Sequence, residues 1–142
     1  MRDFDVIGFD ADDTLWVNEP YFRETEDKFC ALLEDYLPRH TLVKELFKTE
    51  IDNLSLYGYG VKGFMLSMIE TALRVTNNTL SLEVIEKSIG FGKELLQKPT
   101  ELLDGVEDVL KESPSSSYGL RGVAPVRCMR AVQILLLGGL SG

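Results

Sequence analysis

A chain of 142 residues fits one domain of ordinary size. With 44% hydrophobic and 27% charged residues, its composition is that of a globular protein and excludes a disordered chain. The net charge of −8 argues against nucleic acid as a partner, because binding to a phosphate backbone needs clustered Lys and Arg. No apolar run reaches the roughly 20 residues that span a bilayer, and residues 1–3 lead directly into a predicted strand. We therefore expect a cytoplasmic protein with no membrane partner.

Two carboxylates, two residues apart, follow the apolar run at residues 4–9. They are Asp10 and Asp12, with Thr14 two positions further on. A strand puts residues i and i+2 on the same side, so both carboxylates face one small volume if the chain stays extended through Ala11. Such a pair is unfavourable unless a cation lies between the two groups or a proton is shared. The pattern suits a divalent metal such as Mg²⁺, and a reaction in which one carboxylate attacks while the other moves a proton.

The run at residues 9–15, Phe-Asp-Ala-Asp-Asp-Thr-Leu, resembles the first signature of the haloacid dehalogenase-like (HAD) hydrolases. In that signature an apolar strand ends in Asp-x-Asp-x-Thr. The resemblance implies that Asp10 is the nucleophile, which takes the phosphoryl group as an aspartyl-phosphate, and that it is also a Mg²⁺ ligand. Asp12 would protonate the leaving alcohol and then deprotonate the attacking water, with its main-chain carbonyl on the metal. Thr14 would hold the turn and orient Asp12, and Asp13 and Thr14 are predicted to contact the substrate.

The second carboxylate also separates two branches of the family. Members that cleave carbon–halogen bonds lack it, because a halide leaving group needs no proton. Asp12 therefore indicates hydrolysis of a phosphate ester, and the substrate implied by the resemblance is a small phosphorylated metabolite.

Residues 19–98 show a helical period with no convincing strand, which predicts a small antiparallel bundle of four helices. The four predicted apolar stripes are Phe22, Phe29, Leu32, Leu33 and Tyr36; then Val43, Leu46, Phe47 and Ile51; then Phe64, Met65, Met68, Ile69, Ala72 and Leu73; and, after an N-cap at Ser81, Leu82, Ile85, Ile89, Leu95 and Leu96. The run Asp-Gly-Val-Glu at residues 104–107 predicts a capping box for one more helix, with Val106, Val109 and Leu110 on its buried face.

An all-helical insert directly after the first strand is where one class of HAD proteins carries its mobile cap. The predicted fold is therefore α/β, a HAD-like Rossmannoid core of parallel strands with an inserted all-helical cap. Residues 1–18 and 99–142 are assigned to the core and residues 19–98 to the cap. Within the cap, residues 57–60 (Tyr-Gly-Tyr-Gly) together with Lys62 could touch an anionic substrate, but an ordinary connection between helices is favoured.

The tail at residues 113–142 departs from the family pattern. All 23 acidic residues precede it, and its charged residues are three arginines, Arg121, Arg127 and Arg130. A HAD core would supply a further Lys or Arg and another carboxylate pair here. Two explanations stay open. The chain is a truncated or frame-shifted form of a longer hydrolase, which the abrupt change in charge favours, or it is a short relative that no longer catalyses.

Two functions from different classes follow. The first is a Mg²⁺-dependent hydrolase of phosphomonoesters, impaired in this chain by the missing charges. The alternative is a non-catalytic binding or interaction protein that keeps the cap and the first motif. Because the strand at residues 4–9 would have open edges without the later strands of a core, self-association is also expected.

Overall fold

The computed structural model describes residues 12–112, with the side chains of residues 12–109. The predicted strand at residues 4–9, the predicted nucleophile Asp10 and the tail at residues 113–142 lie outside the described residues. The described chain belongs to two compact units. Residues 21–98 form one of them, and residues 12–20 together with 99–112 belong to the other.

Five helices make up the regular structure of the described residues. They are α1 Glu19–Leu32, α2 Arg39–Tyr57, α3 Val61–Val75, α4 Leu82–Gln97 and α5 Val106–Glu112. The four helices predicted between residues 19 and 98 are confirmed. Residues 12–112 contain isolated β-bridges but no strand, so the parallel sheet of the predicted α/β core is not among them. In this part of the chain no helix is long and apolar enough to cross a lipid bilayer.

Helix α3 is the centre of the helical unit, because it packs against both α2 and α4. Its buried residues include Phe64 and Met68, which share a core with Phe29, Leu46 and Leu95. The rings of Phe22 and Phe64 meet edge to face, with centroids 5.2 Å apart. Each large side chain buried in this way contributes about 1.5–3 kcal/mol, so the apolar core is the main source of stability for the bundle.

The apolar stripe predicted for α2 is only partly buried. Leu46 is fully buried, whereas Phe47 is 62% exposed and Ile51 is 54% exposed. The buried face of the helix instead runs through Leu42, Leu46 and Thr49. In α4, Ser81 is the N-cap as predicted, but Leu82 is 85% exposed.

A line of polar side chains between α2 and α3 explains which face of α2 is turned inward. The Thr71 hydroxyl donates a hydrogen bond to Thr49 Oγ1 at 3.0 Å, and both residues are buried. Arg74 Nη2 donates to the same Thr49 oxygen at 2.7 Å and forms an ion pair with Glu45 at 2.9 Å. A buried hydroxyl without a partner would be costly. These pairs therefore fix α2 with Thr49, rather than Phe47, against α3.

The same line of polar contacts continues toward the connection between α2 and α3. Glu70 Oε1 accepts a hydrogen bond from the Tyr57 hydroxyl at 2.6 Å, and Glu70 Oε2 accepts one from Asn53 at 2.9 Å. The bonds from Tyr57 and then Asn53 lower the pKa of the Glu70 carboxyl. Because the folded-state pKa is the lower one, Glu70 stabilises the fold above its ordinary pKa, and this contribution is lost as the pH falls through the lowered value.

Helix α5 begins one residue later than the predicted capping box requires. Gly105 has φ +80°, and its carbonyl accepts the first helical bond, from Val109 N at 3.1 Å. Gly105 rather than Asp104 is therefore the N-cap. Val106 is buried as expected, but Val109 is 52% exposed, so the predicted buried face is only partly right.

The neighbouring residues Leu46 and Phe47 give a matched test of the observed orientation of α2. Leu46→Ala should lower the free energy of unfolding by about 2–5 kcal/mol, because it leaves a cavity in the core. Phe47→Ala should change it by no more than about 0.5 kcal/mol, since the ring is largely in solvent. Urea unfolding followed by circular dichroism measures both values. Equal losses for the two variants would contradict the orientation described above.

Candidate active-site loop

The loop that carries the second predicted catalytic carboxylate closes on itself through Trp16. The indole Nε1–H of Trp16 donates a hydrogen bond to Asp12 Oδ1 at 2.9 Å. The Asp13 amide donates to the Trp16 carbonyl at 2.9 Å. Trp16 is 4% exposed, whereas Asp12 is exposed. A buried ring therefore holds a carboxylate at the surface in one orientation.

Asp13 connects this loop to the first helix. Its Oδ1 accepts hydrogen bonds from the amides of Asn18 and Glu19, both at 2.9 Å, and Oδ2 accepts one from Glu19 at 3.0 Å. Since α1 begins at Glu19, the carboxylate satisfies amides that the helix itself leaves without partners. Its negative charge also interacts favourably with the N-terminal end of the helix dipole. The Asp13 carboxylate is thus occupied by the backbone in this structure, and its predicted contact with substrate stays a prediction.

The backbone conformation of Asp13 makes that arrangement possible. Its φ is +55°, in the left-handed region that Asp and Asn adopt more readily than most other residues with a side chain. Thr14 follows in the turn and is exposed. The predicted roles of Thr14 in orienting Asp12 and contacting substrate stay predictions, whereas the observed contact that orients Asp12 comes from Trp16.

The segment after the loop pairs with the chain that returns from α4. Val17 N donates to the Glu101 carbonyl at 2.8 Å, and Leu103 N donates to the Leu15 carbonyl at 3.0 Å. Between them, Trp16 and Leu102 form an antiparallel bridge. The backbone on which Trp16 lies is therefore held on both sides, which restricts the position of the indole that holds Asp12.

Only part of the predicted metal site can be compared with the structure. Of the two predicted Mg²⁺ ligands, Asp12 is described and Asp10 is not. Among residues 12–109, no three His, Cys, Asp or Glu side chains come together as a metal site. Cys30 offers no alternative chemistry, because burial raises the pKa of its thiol to about 11 and keeps it protonated at neutral pH.

Trp16 is the residue whose role sequence reasoning missed. It lies directly after the motif, and its spacing of four residues from Asp12 allows a loop to close between them. An indole N–H is a donor only, and a buried one needs an acceptor. The one Trp of the chain, close after a pair of acids, was the available signal.

Comparison with known proteins supports the resemblance carried by this motif. The chain is similar to the crystal structure of a haloacid dehalogenase-like family hydrolase from Xanthomonas campestris, with 40% sequence identity and a TM-score of 0.65. The match covers 73% of this chain and 43% of that protein, so the chain spans less than half of the length of its structural relative. No family model and no curated protein matches the chain. The similarity supports a hydrolase of the HAD-like type.

Removing the Asp13 carboxylate should loosen the start of α1. In Asp13→Ala the amides of Asn18 and Glu19 lose their charged acceptor, and bonds of that kind contribute about 1.5–3 kcal/mol each. We expect hydrogen exchange at the Glu19 amide to become faster by roughly tenfold or more. Asp35→Ala, which removes an exposed carboxylate from the turn after α1, is the matched control. Unchanged exchange at Glu19 in Asp13→Ala would show that these bonds do not hold the loop.

Proposed function

We propose that this chain carries the nucleophile loop of a HAD-like hydrolase that cleaves phosphate monoesters of a small metabolite, with Asp10 as nucleophile and Asp12 as general acid and base. The observation that carries the proposal is the hydrogen bond from the Trp16 indole to Asp12. Similarity to a HAD-like hydrolase at 40% identity supports the same reaction class. Cleavage of phosphate esters, rather than of another bond, rests on the presence of the second carboxylate.

The geometry of Asp12 suits proton transfer. Its Oδ1 is held by the indole at 2.9 Å, while Oδ2 makes no hydrogen bond to a described residue. One oxygen is therefore held, and within the described part of the chain no donor competes with a substrate or a water molecule for the other. A general acid or base must lie within hydrogen-bond reach of the proton that it moves, and an exposed, oriented carboxylate meets that requirement when a substrate binds over the loop.

The proposed reaction has two steps. An oxygen of the Asp10 carboxylate attacks phosphorus, the bond from phosphorus to the alcohol oxygen breaks, and Asp12 gives its proton to the departing alkoxide. A water molecule then attacks the phosphorus of the aspartyl-phosphate and loses a proton to Asp12. Inorganic phosphate leaves and Asp10 is restored, so protons and charges balance over the cycle.

Mg²⁺ is the cofactor implied for this reaction. The Asp10 carboxylate and the Asp12 carbonyl are the residues proposed to hold it, and the ion would neutralise charge on the transferring phosphoryl group. The described residues supply Asp12 alone of this set, so both ligand assignments are part of the proposal.

Turnover by the 142-residue chain is expected to be slow. Glu112 is the last acid in the sequence and Lys111 the last lysine. Transfer of a phosphoryl group depends on placed positive charge and on carboxylates that hold the metal. The activity should therefore be measured as release of inorganic phosphate over hours, with the chain at high concentration.

The test compares a poor leaving group with a good one. Asp10→Asn should abolish Mg²⁺-dependent hydrolysis of both phenyl phosphate and 4-nitrophenyl phosphate, because the amide is a weak nucleophile. Asp12→Asn should slow the release of phenol from phenyl phosphate in the first turnover by about 10²–10⁴-fold and the release of 4-nitrophenol from 4-nitrophenyl phosphate much less, since an activated phenolate leaves without a proton. Trp16→Phe keeps a ring but removes the N–H. It should also slow hydrolysis of phenyl phosphate more than hydrolysis of 4-nitrophenyl phosphate, but by a smaller factor than Asp12→Asn.

Asp35→Asn is the control for a general effect of charge, and it should leave both rates unchanged. The second step is the same for both substrates, so the comparison is made on the first turnover. Equal losses there on the two substrates in Asp12→Asn would contradict the role of Asp12 as general acid. Activity that survives Asp10→Asn would contradict the nucleophile. If no Mg²⁺-dependent turnover is found, the non-catalytic binding protein becomes the better description of this chain.

A further inference from the structure

Helix α2 presents an apolar pair to solvent. Phe47 and Ile51 lie one helical turn apart and are 62% and 54% exposed. Their neighbours Leu42 and Leu46, on the opposite side of the helix, are fully buried. Single exposed apolar residues are common, whereas adjacent large ones form a contiguous apolar patch, and extended patches of this kind mark interaction sites.

Charged residues line one edge of this pair. Lys44, Lys48 and Asp52 follow each other at four-residue spacing, all exposed and all on the same side of Phe47 and Ile51. Within the described part of the chain, none of the three takes part in an ion pair or a side-chain hydrogen bond. The edge therefore carries two positive charges toward the start of α2 and one negative charge toward its end.

From this pattern we infer that α2 is a self-association surface, on which two copies of the chain pair antiparallel about a two-fold axis. We call the surface formed by Lys44, Phe47, Lys48, Ile51 and Asp52 the α2 face. In a two-fold contact the same patch is used by both copies. An axis between Phe47 and Ile51 brings Phe47 of each copy level with Ile51 of the other.

The charges of the α2 face then become complementary. In an antiparallel helix pair, an edge of one helix faces the same edge of the other. With the axis at residue 49, Asp52 of one copy lies level with residue 46 of the other, about 3 Å along the helix from both Lys44 and Lys48 at a rise of 1.5 Å per residue. Each carboxylate therefore lies between two ammonium groups. The two Lys48 residues also come within about 3 Å of each other along the helix axis, which is one repulsive pair beside four attractive ones. The balance favours a second copy as the occupant over an unrelated apolar partner.

The size of the α2 face predicts a weak dimer. A stable interface buries about 800 Å² on each partner, and one face of a single helix offers less than this. We expect a reversible dimer with a dissociation constant on the order of 10–100 µM. This surface is distinct from the open sheet edge for which self-association was expected from the sequence, and it lies outside the proposed catalytic loop.

Sedimentation of the 142-residue chain over a concentration series tests the inference. Phe47→Ser should weaken dimerisation by about tenfold or more, because it removes a central anchor. Leu82→Ser removes a side chain that is 85% exposed on α4, and as the matched control it should leave the dissociation constant within about twofold. A chain that stays monomeric to about 1 mM, or a dimer equally strong in Phe47→Ser, would overturn the inference.

Charge reversal gives a second readout that does not depend on the apolar pair. The double variant Lys44→Glu with Lys48→Glu places only carboxylates along the shared edge and should weaken the dimer. Adding Asp52→Lys to it restores opposite charges across the axis and should recover dimerisation. Circular dichroism checks that the helices are intact, and if Phe47→Ser does not fold, the charge series decides. If the triple variant dimerises no more tightly than the double variant, the inference is overturned.

Discussion

The hydrogen bond from the Trp16 indole to Asp12 is the contact on which the candidate site depends. It joins a ring that is 4% exposed to a carboxylate at the surface over 2.9 Å. Burial fixes the ring, and the indole has one donor, so the carboxylate that accepts it has a restricted orientation. Pre-orientation of this kind is what a proton-transferring group needs, because a rotating carboxylate would have to be ordered at each turnover.

Asp12 and Asp13 hold the loop through different hydrogen bonds. Asp13 accepts the first amides of α1, and its left-handed φ of +55° turns the chain so that it can reach them. Asp12 lies at the surface, and its Oδ2 has no hydrogen-bond partner among the described residues. Two adjacent carboxylates thus have different surroundings, one bound by backbone amides and one bound by an indole. A substitution at Asp13 would therefore affect the site through the loop rather than by removing a reacting group.

Sequence periodicity predicted the helices well and their buried faces less well. Helices α1 to α4 occur where the four apolar stripes were predicted, because turn residues and apolar spacing act locally, although α1 ends at Leu32, before the stripe residue Tyr36. The orientation of α2 was missed because Thr49 is buried through bonds to Thr71 and Arg74, more than twenty residues away. A pattern of apolar residues gives no indication of such hydrogen bonds between polar side chains. It therefore placed Phe47 and Ile51 on the apolar stripe, although both are exposed.

In the candidate site, too, the residues were predicted from the sequence but their contacts were not. The motif located Asp12 and Asp13 and suggested their chemistry. It did not separate their surroundings, because these depend on the φ of Asp13 and on contacts four to six residues further along the chain. The role of Trp16 depends on the loop folding back so that the indole reaches Asp12. The sequence supplied residue types and spacing, and the structure supplied the partner of each polar group.

The indole resonance of Trp16 gives the most direct measurement of the central contact, because the chain has one Trp. In a ¹⁵N–¹H spectrum of the full chain, Asp12→Ala should move this signal and speed its exchange with water. Asp12→Asn, which keeps an acceptor oxygen, should move it less, and Asp35→Ala should leave it in place. An indole signal unchanged in Asp12→Ala would contradict the hydrogen bond and, with it, the orientation of Asp12 on which the proposed chemistry depends.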